Sequence, residues 1–273
     1  MDSLGIIGLG TIGKAIAQGA HRALPQMPIF GTRRGEEALP PSVTRCVSNA
    51  ALASQYRTLV LAVKPQQIDG VLREIAPFVN GGHTVISTCA GVLLQHLREL
   101  LPHAGTIVRA MPNIACELNA GVTGLAFEAA APEQIREQVR RFFALLGEVV
   151  TVQEQHFDAV TAIGGCGPAY ACVIIEAITD AGVKQGLPRS ASRLFAAQML
   201  LGSAQLVLQS HAHPAEIRDR VTTPGGCTID ALTALEDGKI RAALIAAVAT
   251  AAEKSSRLAR HASVPDTCAP GRR

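Results

Sequence analysis

The chain has 273 residues, 48% of them apolar and 17% charged; this excludes a disordered polymer and suffices for one large or two ordinary domains with a real core. Aromatic residues make up only 3% and Trp is absent, so that core has to be built from Ala, Val, Leu and Ile. A formal charge of +3 without any basic run argues against nucleic acid as a partner, because phosphate binding needs a concentrated basic face.

Short β-branched runs and helical patterns alternate through the first half. Strands are expected at 4–7, 29–32, 58–63, 84–88 and 106–110. Between them lie segments of helical spacing, the clearest being Ile68, Val71, Leu72 and Ile75. Alternation at this pitch implies βαβ units, hence a mostly parallel sheet covered by helices on both faces. Further strands at 121–127 and 147–152, flanking a helix that starts near Pro132, would extend the sheet. Beyond about residue 155 the strand signal fades, and helices follow at 156–163, 168–186, 189–210, 214–221 and 229–260. Gly186-Leu187-Pro188 reads as a stop and restart, with Gly closing one helix and Pro opening the next. Helices that are apolar nearly all round, such as 195–208, have too little interior of their own to be buried in, and point to a subunit interface. The expected division is 1–155 as an α/β domain, 156–260 as a helical domain, and 261–273 as a disordered tail.

Seven scattered cysteines lack any C-x-x-C pair and read as reduced thiols. The beginning of the chain shows no signal-peptide core, and Asp180, Lys184, Arg193 and Gln198 interrupt the Ala-rich stretches that could otherwise span a membrane. A soluble cytoplasmic protein is expected. His211 and His213 with Glu216 make a poor metal set, and no metal is expected.

Gly8-Leu9-Gly10-Thr11-Ile12-Gly13 follows the first strand and opens the first helix. Chance alone would give about 0.2 such G-x-G-x-x-G matches in a chain of this glycine content, so the string is weak and its context carries the weight. Gly8 permits the tight turn, Gly10 lets a pyrophosphate approach, and Gly13 lets the helix lie close to the strand. The helix N-terminus then offers amides and a positive dipole end to phosphate. At the end of the second strand an NAD enzyme would carry an acid, but here the sequence reads Gly31-Thr32-Arg33-Arg34, with no acid before Glu36. Two guanidiniums and the Thr32 hydroxyl suit a 2′-phosphate, which favours NADPH over NADH.

Four further strings are Ala62-Val63-Lys64-Pro65, Arg109-Ala110-Met111-Pro112-Asn113, Gly165-Cys166-Gly167-Pro168-Ala169-Tyr170 and Thr223-Pro224-Gly225-Gly226-Cys227-Thr228-Ile229. In this order and at these separations the chain resembles the pyrroline-5-carboxylate reductase family, from about residue 4 to 258. The resemblance implies a Rossmann-like NADP-binding domain and an all-α domain that interlocks two subunits, with further assembly of dimers. It also implies hydride transfer from NADPH to the C=N carbon of a cyclic imino acid, giving L-proline. It assigns Ala62, Val63, Lys64 and Pro65, with Cys89, Ala90 and Gly91, to the ribose and nicotinamide. Asn49, Met111 and Asn113 complete the implied cofactor contacts. Gly225 and Gly226, in a turn whose backbone N–H groups are free, would receive the substrate carboxylate, with Val221 and Cys227 beside them. Thr228 is implied as the catalytic residue, its hydroxyl bonding the ring nitrogen; from the residues alone it reads as a helix N-cap.

The chain departs from the family in having Ile114, Ala115 and Cys116 after the M-P-N string, where a Pro is common, and Gly164-Gly165-Cys166 where S-G-S is common. These changes leave open an imine reductase for another cyclic imino acid. A non-catalytic NADPH-binding protein and a hydroxyacid dehydrogenase using Lys184 are the remaining alternatives.

Overall fold

A computed structural model describes residues 3–35 and 37–262. In chain order the first part contains β1 (Leu4–Ile7), α1 (Thr11–Ala23), β2 (Ile29–Thr32), β3 (Val43–Arg45), α2 (Asn49–Gln55), β4 (Thr58–Leu61), α3 (Ile68–Ile75) and β5 (Thr84–Ser87). There follow α4 (Leu94–Leu100), β6 (Thr106–Met111), β7 (Gly121–Phe127), α5 (Glu133–Ala144) and β8 (Gly147–Thr151). The strands form one eight-stranded sheet in the order β3-β2-β1-β4-β5-β6-β7-β8. The first six are parallel in the doubly wound 3-2-1-4-5-6 order; β7 reverses against β6, and β8, parallel to β7, runs with it. β1, β5 and β6 are buried along their whole length, as expected where helices cover both faces. One face packs Leu52, Leu72 and Leu97 from α2, α3 and α4, and the other packs Ile16 from α1 with Phe142 and Phe143 from α5.

Strand β3 has no counterpart in the sequence reading. Only Val43 of its three residues is buried, so it leaves no apolar run; pairing with β2, Ile29↔Val43 to Gly31↔Arg45, is what makes it a strand. The expected strand 58–63 stops at Leu61, because Pro65 opens a 3-10 turn, Pro65–Gln67, only four residues on.

The helices that follow are α6 (Phe157–Val160), a π-helical turn over Thr161–Gly165, α7 (Gly167–Lys184), α8 (Arg189–Ser210), α9 (Pro214–Arg220), α10 (Cys227–Asp237) and α11 (Ile240–Ala262). α7 ends in a Schellman pattern: Gly186 has φ +93, Leu187 N–H donates to Gly182 O at 3.1 Å, and Gly186 N–H donates to Val183 O at 2.9 Å. The single helix expected over 229–260 is in fact two. Gly238 N–H and Lys239 N–H turn back to Ala234 and Glu236, Lys239 takes φ +55, and α11 restarts at Ile240. α11 also carries the chain as helix to Ala262, into the segment expected to be a disordered tail; the rest of that segment, 263–273, lies outside the described residues.

The described residues divide into two compact units, 3–166 with 249–262, and 167–248. Within the second, α7 buries only Thr179, and α8 buries only Ser192 and Ala196. Leu194, Phe195, Leu201 and Leu208 are all more than half exposed. By length and composition alone, 154–184 and 189–210 are long and apolar enough to cross a membrane, so the interrupting charges do not remove that property.

Candidate functional site

A cavity of about 670 Å³ opens at the carboxyl ends of β1, β2 and β4, where the strand order reverses. The glycine loop forms one end. Gly8 has φ +98, and a Cβ there would lie 2.7 Å from both Ala62 O and Val63 Cγ1. A Cβ on Gly13 would collide with the Gly8 carbonyl oxygen. Gly10 is different: nothing lies within 4 Å of its would-be Cβ. Its lack of a side chain therefore keeps space open above the N-terminus of α1 and relieves no internal clash. α1 begins at Thr11 with no side-chain cap and no acid in its first turn. The amides of Thr11, Ile12 and Gly13 are left for a ligand by the helix itself, the chemistry a pyrophosphate requires.

The opposite wall carries polar side chains. The Thr32 hydroxyl donates to Asn49 Oδ1 at 2.6 Å, and Asn49 Nδ2 donates to Glu74 Oε2 at 2.7 Å, a chain running from the end of β2 through the start of α2 to α3. Arg33 donates from Nη1 to Leu9 O at 3.1 Å and pairs through Nη2 with Glu37. Arg34 lines the cavity and forms no ion pair among the described residues. Glu36 lies outside the described residues. Ala62, Val63 and Lys64 close the side nearest β4.

Gly8, Gly10, Thr32, Arg33, Arg34, Asn49, Ala62, Val63 and Lys64, all singled out in the sequence, thus share one cavity. Thr11, Ile12 and Gly13 sit in the helical turn behind it and Pro65 in the 3-10 turn beside it. Sequence reasoning missed Arg45, Gln67 and Glu74, which complete the wall. Recognising 43–45 as a strand beside β2 would have placed Arg45 level with Gly31.

The remaining cofactor candidates stand at the ends of β5 and β6, apart from this cavity wall. Cys89 is buried, its thiol donates to Val63 O at 3.2 Å, and loss of solvent pushes its pKa up to about 11. It is therefore a neutral packed thiol at physiological pH. Ala90 and Gly91, the latter at φ +72, form the turn that follows. Met111 ends β6 and is buried, its sulfur facing Gly165. Asn113 has both ends of its amide engaged: Oδ1 accepts from Ala115 N at 3.2 Å, and Nδ2 donates to Gly164 O in the π turn at 3.1 Å. It orders two backbone segments around the end of β6.

In the helical unit, Thr223 to Gly226 form a turn closed by Gly226 N–H donating to Thr223 O at 3.0 Å, with Pro224 second and Gly225 third at φ +68. That is the pattern of a type II turn, in which a side chain at the third position would be strained. The Gly226 N–H is therefore not free, contrary to the sequence reading. The donors α10 leaves unused are its first-turn amides, Cys227 and Thr228 among them. Gly226 takes the N-cap position with no side-chain bond, so the Thr228 hydroxyl is not the cap it resembled in the sequence. Thr228 is half-buried, Cys227 is exposed, and Val221 ends α9 with its side chain exposed.

Comparison with known proteins agrees with both halves of this geometry. Residues 154–258 match the family model "Pyrroline-5-carboxylate reductase dimerisation", and residues 3–91 match "NADP oxidoreductase coenzyme F420-dependent". The pyrroline-5-carboxylate reductase of a Synechocystis species is 40% identical over 94% of this chain and 98% of its own length. That of Escherichia coli is 35% identical over 94% and 98%. The crystal structure of Plasmodium falciparum pyrroline carboxylate reductase with NADP bound is 31% identical and superposes with a TM-score of 0.88 over 94% of this chain and 98% of that one. A glycine-loop cavity on a doubly wound sheet, a T-P-G-G-C-T turn opening a helix, and full-length similarity converge: the chain is an oxidoreductase with a Rossmann-type dinucleotide-binding half, and it belongs to the pyrroline-5-carboxylate reductase family.

Proposed function

We propose that this protein is an NADPH-dependent reductase that converts 1-pyrroline-5-carboxylate to L-proline. The observation that carries the cofactor half is the cavity itself, with helix amides under the open space at Gly10 and guanidiniums of Arg33, Arg34 and Arg45 at the far wall. Those groups fit a pyrophosphate and a 2′-phosphate, and the arginine pair Arg33-Arg34 directly after β2, where an NAD enzyme would carry an acid, fits NADPH better than NADH. When bound, NADPH supplies the hydride. The protein's own residues then have three tasks. The first-turn amides of α10 and the turn at Gly225 hold the substrate carboxylate. Thr228 Oγ1 hydrogen-bonds the ring nitrogen, donating to the imine and accepting from the amine. The polar chain Thr32–Asn49–Glu74 fixes the ribose side of the cavity. The family model of dimerisation over 154–258, with the exposed apolar faces of α7 and α8, supports a homodimer; we infer that those faces meet a second copy of the chain and not lipid.

The test is loss of reduced-nicotinamide absorbance with pyrroline-5-carboxylate, with NADH and the six-membered homologue in parallel. Turnover with the five-membered ring and NADPH is expected. Thr228→Ala should lower kcat by about 100-fold or more, the scale of a lost acid–base contact, and leave NADPH binding intact. Activity confined to another ring would transfer the reading to a different cyclic imine. Activity on none, or indifference to Thr228→Ala, would refute it.

A further inference from the structure

The loop after β2 carries the guanidiniums that the NADPH reading assigns to the 2′-phosphate, and also an acid that neutralises one of them. Gly35, at φ +83, turns the chain so that Glu37 faces Arg33 four residues earlier. One carboxylate oxygen of Glu37 pairs with Arg33 Nη2, and the other accepts from Lys14 Nζ on α1 at 3.1 Å. Arg33 is held from the other side by the Leu9 carbonyl of the glycine loop, so its position does not depend on Glu37 alone. The path of the loop does not depend on the Glu37 carboxylate either, because Arg45 on β3 donates to the backbone carbonyl of Glu37 at 2.8 Å. The two cations are the more enclosed members, with Arg33 21% and Lys14 31% exposed, and the Glu37 side chain is 59% exposed. The anion can swing into water while the cations stay.

We propose that Glu37 is an internal counter-anion: in the free protein it occupies the place on Arg33 and Lys14 that the 2′-phosphate takes when NADPH binds. It thereby sets the affinity for NADPH and the margin over NADH. The proposal rests on the NADPH reading above. A phosphate monoester brings about −1.5 to −2 charges and three acceptor oxygens, so it displaces a single exposed carboxylate. The 2′-hydroxyl of NADH brings no charge and leaves Glu37 where it is. Glu37 therefore weakens the binding of the preferred cofactor, a role opposite to that of a merely supporting residue.

The experiment is calorimetric titration of the 273-residue chain and of its Glu37→Gln variant with 2′,5′-ADP and with 5′-AMP, which share the adenosine and differ at the 2′ position. Glu37→Gln is expected to bind 2′,5′-ADP about 3- to 10-fold more tightly, the scale of one or two partly exposed ion pairs that no longer have to be broken, with 5′-AMP unchanged. Glu37→Ser, which keeps no group long enough to reach Arg33, should shift the affinity in the same direction. Unchanged or weaker 2′,5′-ADP binding in these variants would overturn the proposal, as would equal tightening of both nucleotides. Wild-type protein that binds 5′-AMP as tightly as 2′,5′-ADP would instead overturn the NADPH reading on which it rests.

Discussion

A methyl group placed on Gly10 or on Gly13 asks the glycine loop two different questions. At Gly13 the new Cβ would run into the Gly8 carbonyl oxygen and stand 3.4 Å from Ala62 Cβ, so α1 has to back away from the end of β1. Overpacking of this kind costs about 1–3 kcal/mol, and a backbone oxygen cannot yield as a flexible side chain does. The better helix propensity of Ala returns about 1 kcal/mol; because the clash is with backbone, the upper end of the cost applies, leaving a net loss of up to about 2 kcal/mol for Gly13→Ala. At Gly10 the backbone has φ −80 and ψ −158, a conformation open to Ala, and nothing lies within 4 Å of the added carbon. Stability should then fall by no more than ~1 kcal/mol, the difference between Gly and Ala at an N-cap. NADPH binding should respond in the reverse order of severity. The methyl of Gly10→Ala occupies the approach to the α1 amides, and loss of one charge-assisted hydrogen bond, about 1.5–3 kcal/mol, weakens binding by roughly 10- to 150-fold. Thermal unfolding measures the first effect, and titration of NADPH fluorescence measures the second. A Gly10→Ala protein that binds NADPH as the wild type does, or that loses as much stability as Gly13→Ala, would refute this account of the loop.

Arg109 is buried, with its guanidinium 4.3 Å from the Phe157 ring centroid, and its charged partner is Glu154 at 2.8 Å, whose same oxygen accepts Leu94 N–H at 2.7 Å. Glu154→Ala should cost about 2–3 kcal/mol by leaving that cation unpaired, and Arg109→Met should cost less, because Glu154 reaches solvent; denaturant titrations giving the opposite order would contradict this. Burial pushes the Glu128 carboxyl up, but hydrogen bonds from Arg98 and from Ile107 N–H, with the Arg98 charge, outweigh it and hold the pKa below the ordinary 4.5. A depressed folded-state pKa means stability that is full above the unfolded value and lost as pH falls through the folded one, so acid unfolding of Glu128→Gln should be less steep below about pH 4.5. Phe195→Asp, at an exposed apolar position on α8, should raise the dimer dissociation constant by about 100-fold or more in sedimentation equilibrium, and an unchanged mass would remove Phe195 from the interface.

What the sequence made legible follows from how local each signal is. Seven strands of the sheet carry their own apolar runs, and their places in the chain were readable within a few residues. β3 was not, because a three-residue edge strand with one buried side chain exists only by virtue of its neighbour. The break at Gly238-Lys239 was legible but missed: the apolar spacing lapses between Leu235 and Ile240, and Asp237-Gly238 is a turn signal; only the left-handed Lys239 has no signature in composition. The glycine loop could be read because its chemistry is encoded in backbone, at fixed offsets. The cavity's opposite wall could not be fully read, since Arg45, Gln67 and Glu74 arrive there from three separate elements. Thr228 stood out only through resemblance. Its local pattern predicts a cap, and it is Gly226 that occupies the cap position.

The helical unit poses a physical problem that its own residues do not solve. α7 is 18 residues long and buries one of them, and α8 is 22 residues long and buries two. Helices in water draw most of their stability from packing an apolar face, and here apolar residues such as Val173, Leu194, Phe195 and Leu208 stand exposed in the single chain. A second chain supplies the missing interior if the dimerisation match over 154–258 describes its use. Folding of 167–248 is then linked to association, and its stability depends on protein concentration by mass action. Each tenfold dilution should remove about 1.4 kcal/mol from the dimeric, helical transition. The α/β unit closes both faces of its sheet within one chain, so a transition reporting on it alone should not move with dilution. Helical unfolding followed by circular dichroism over a hundredfold range of concentration distinguishes the two cases. A helical midpoint that stays fixed would mean that these faces are covered by something other than a second copy of the chain.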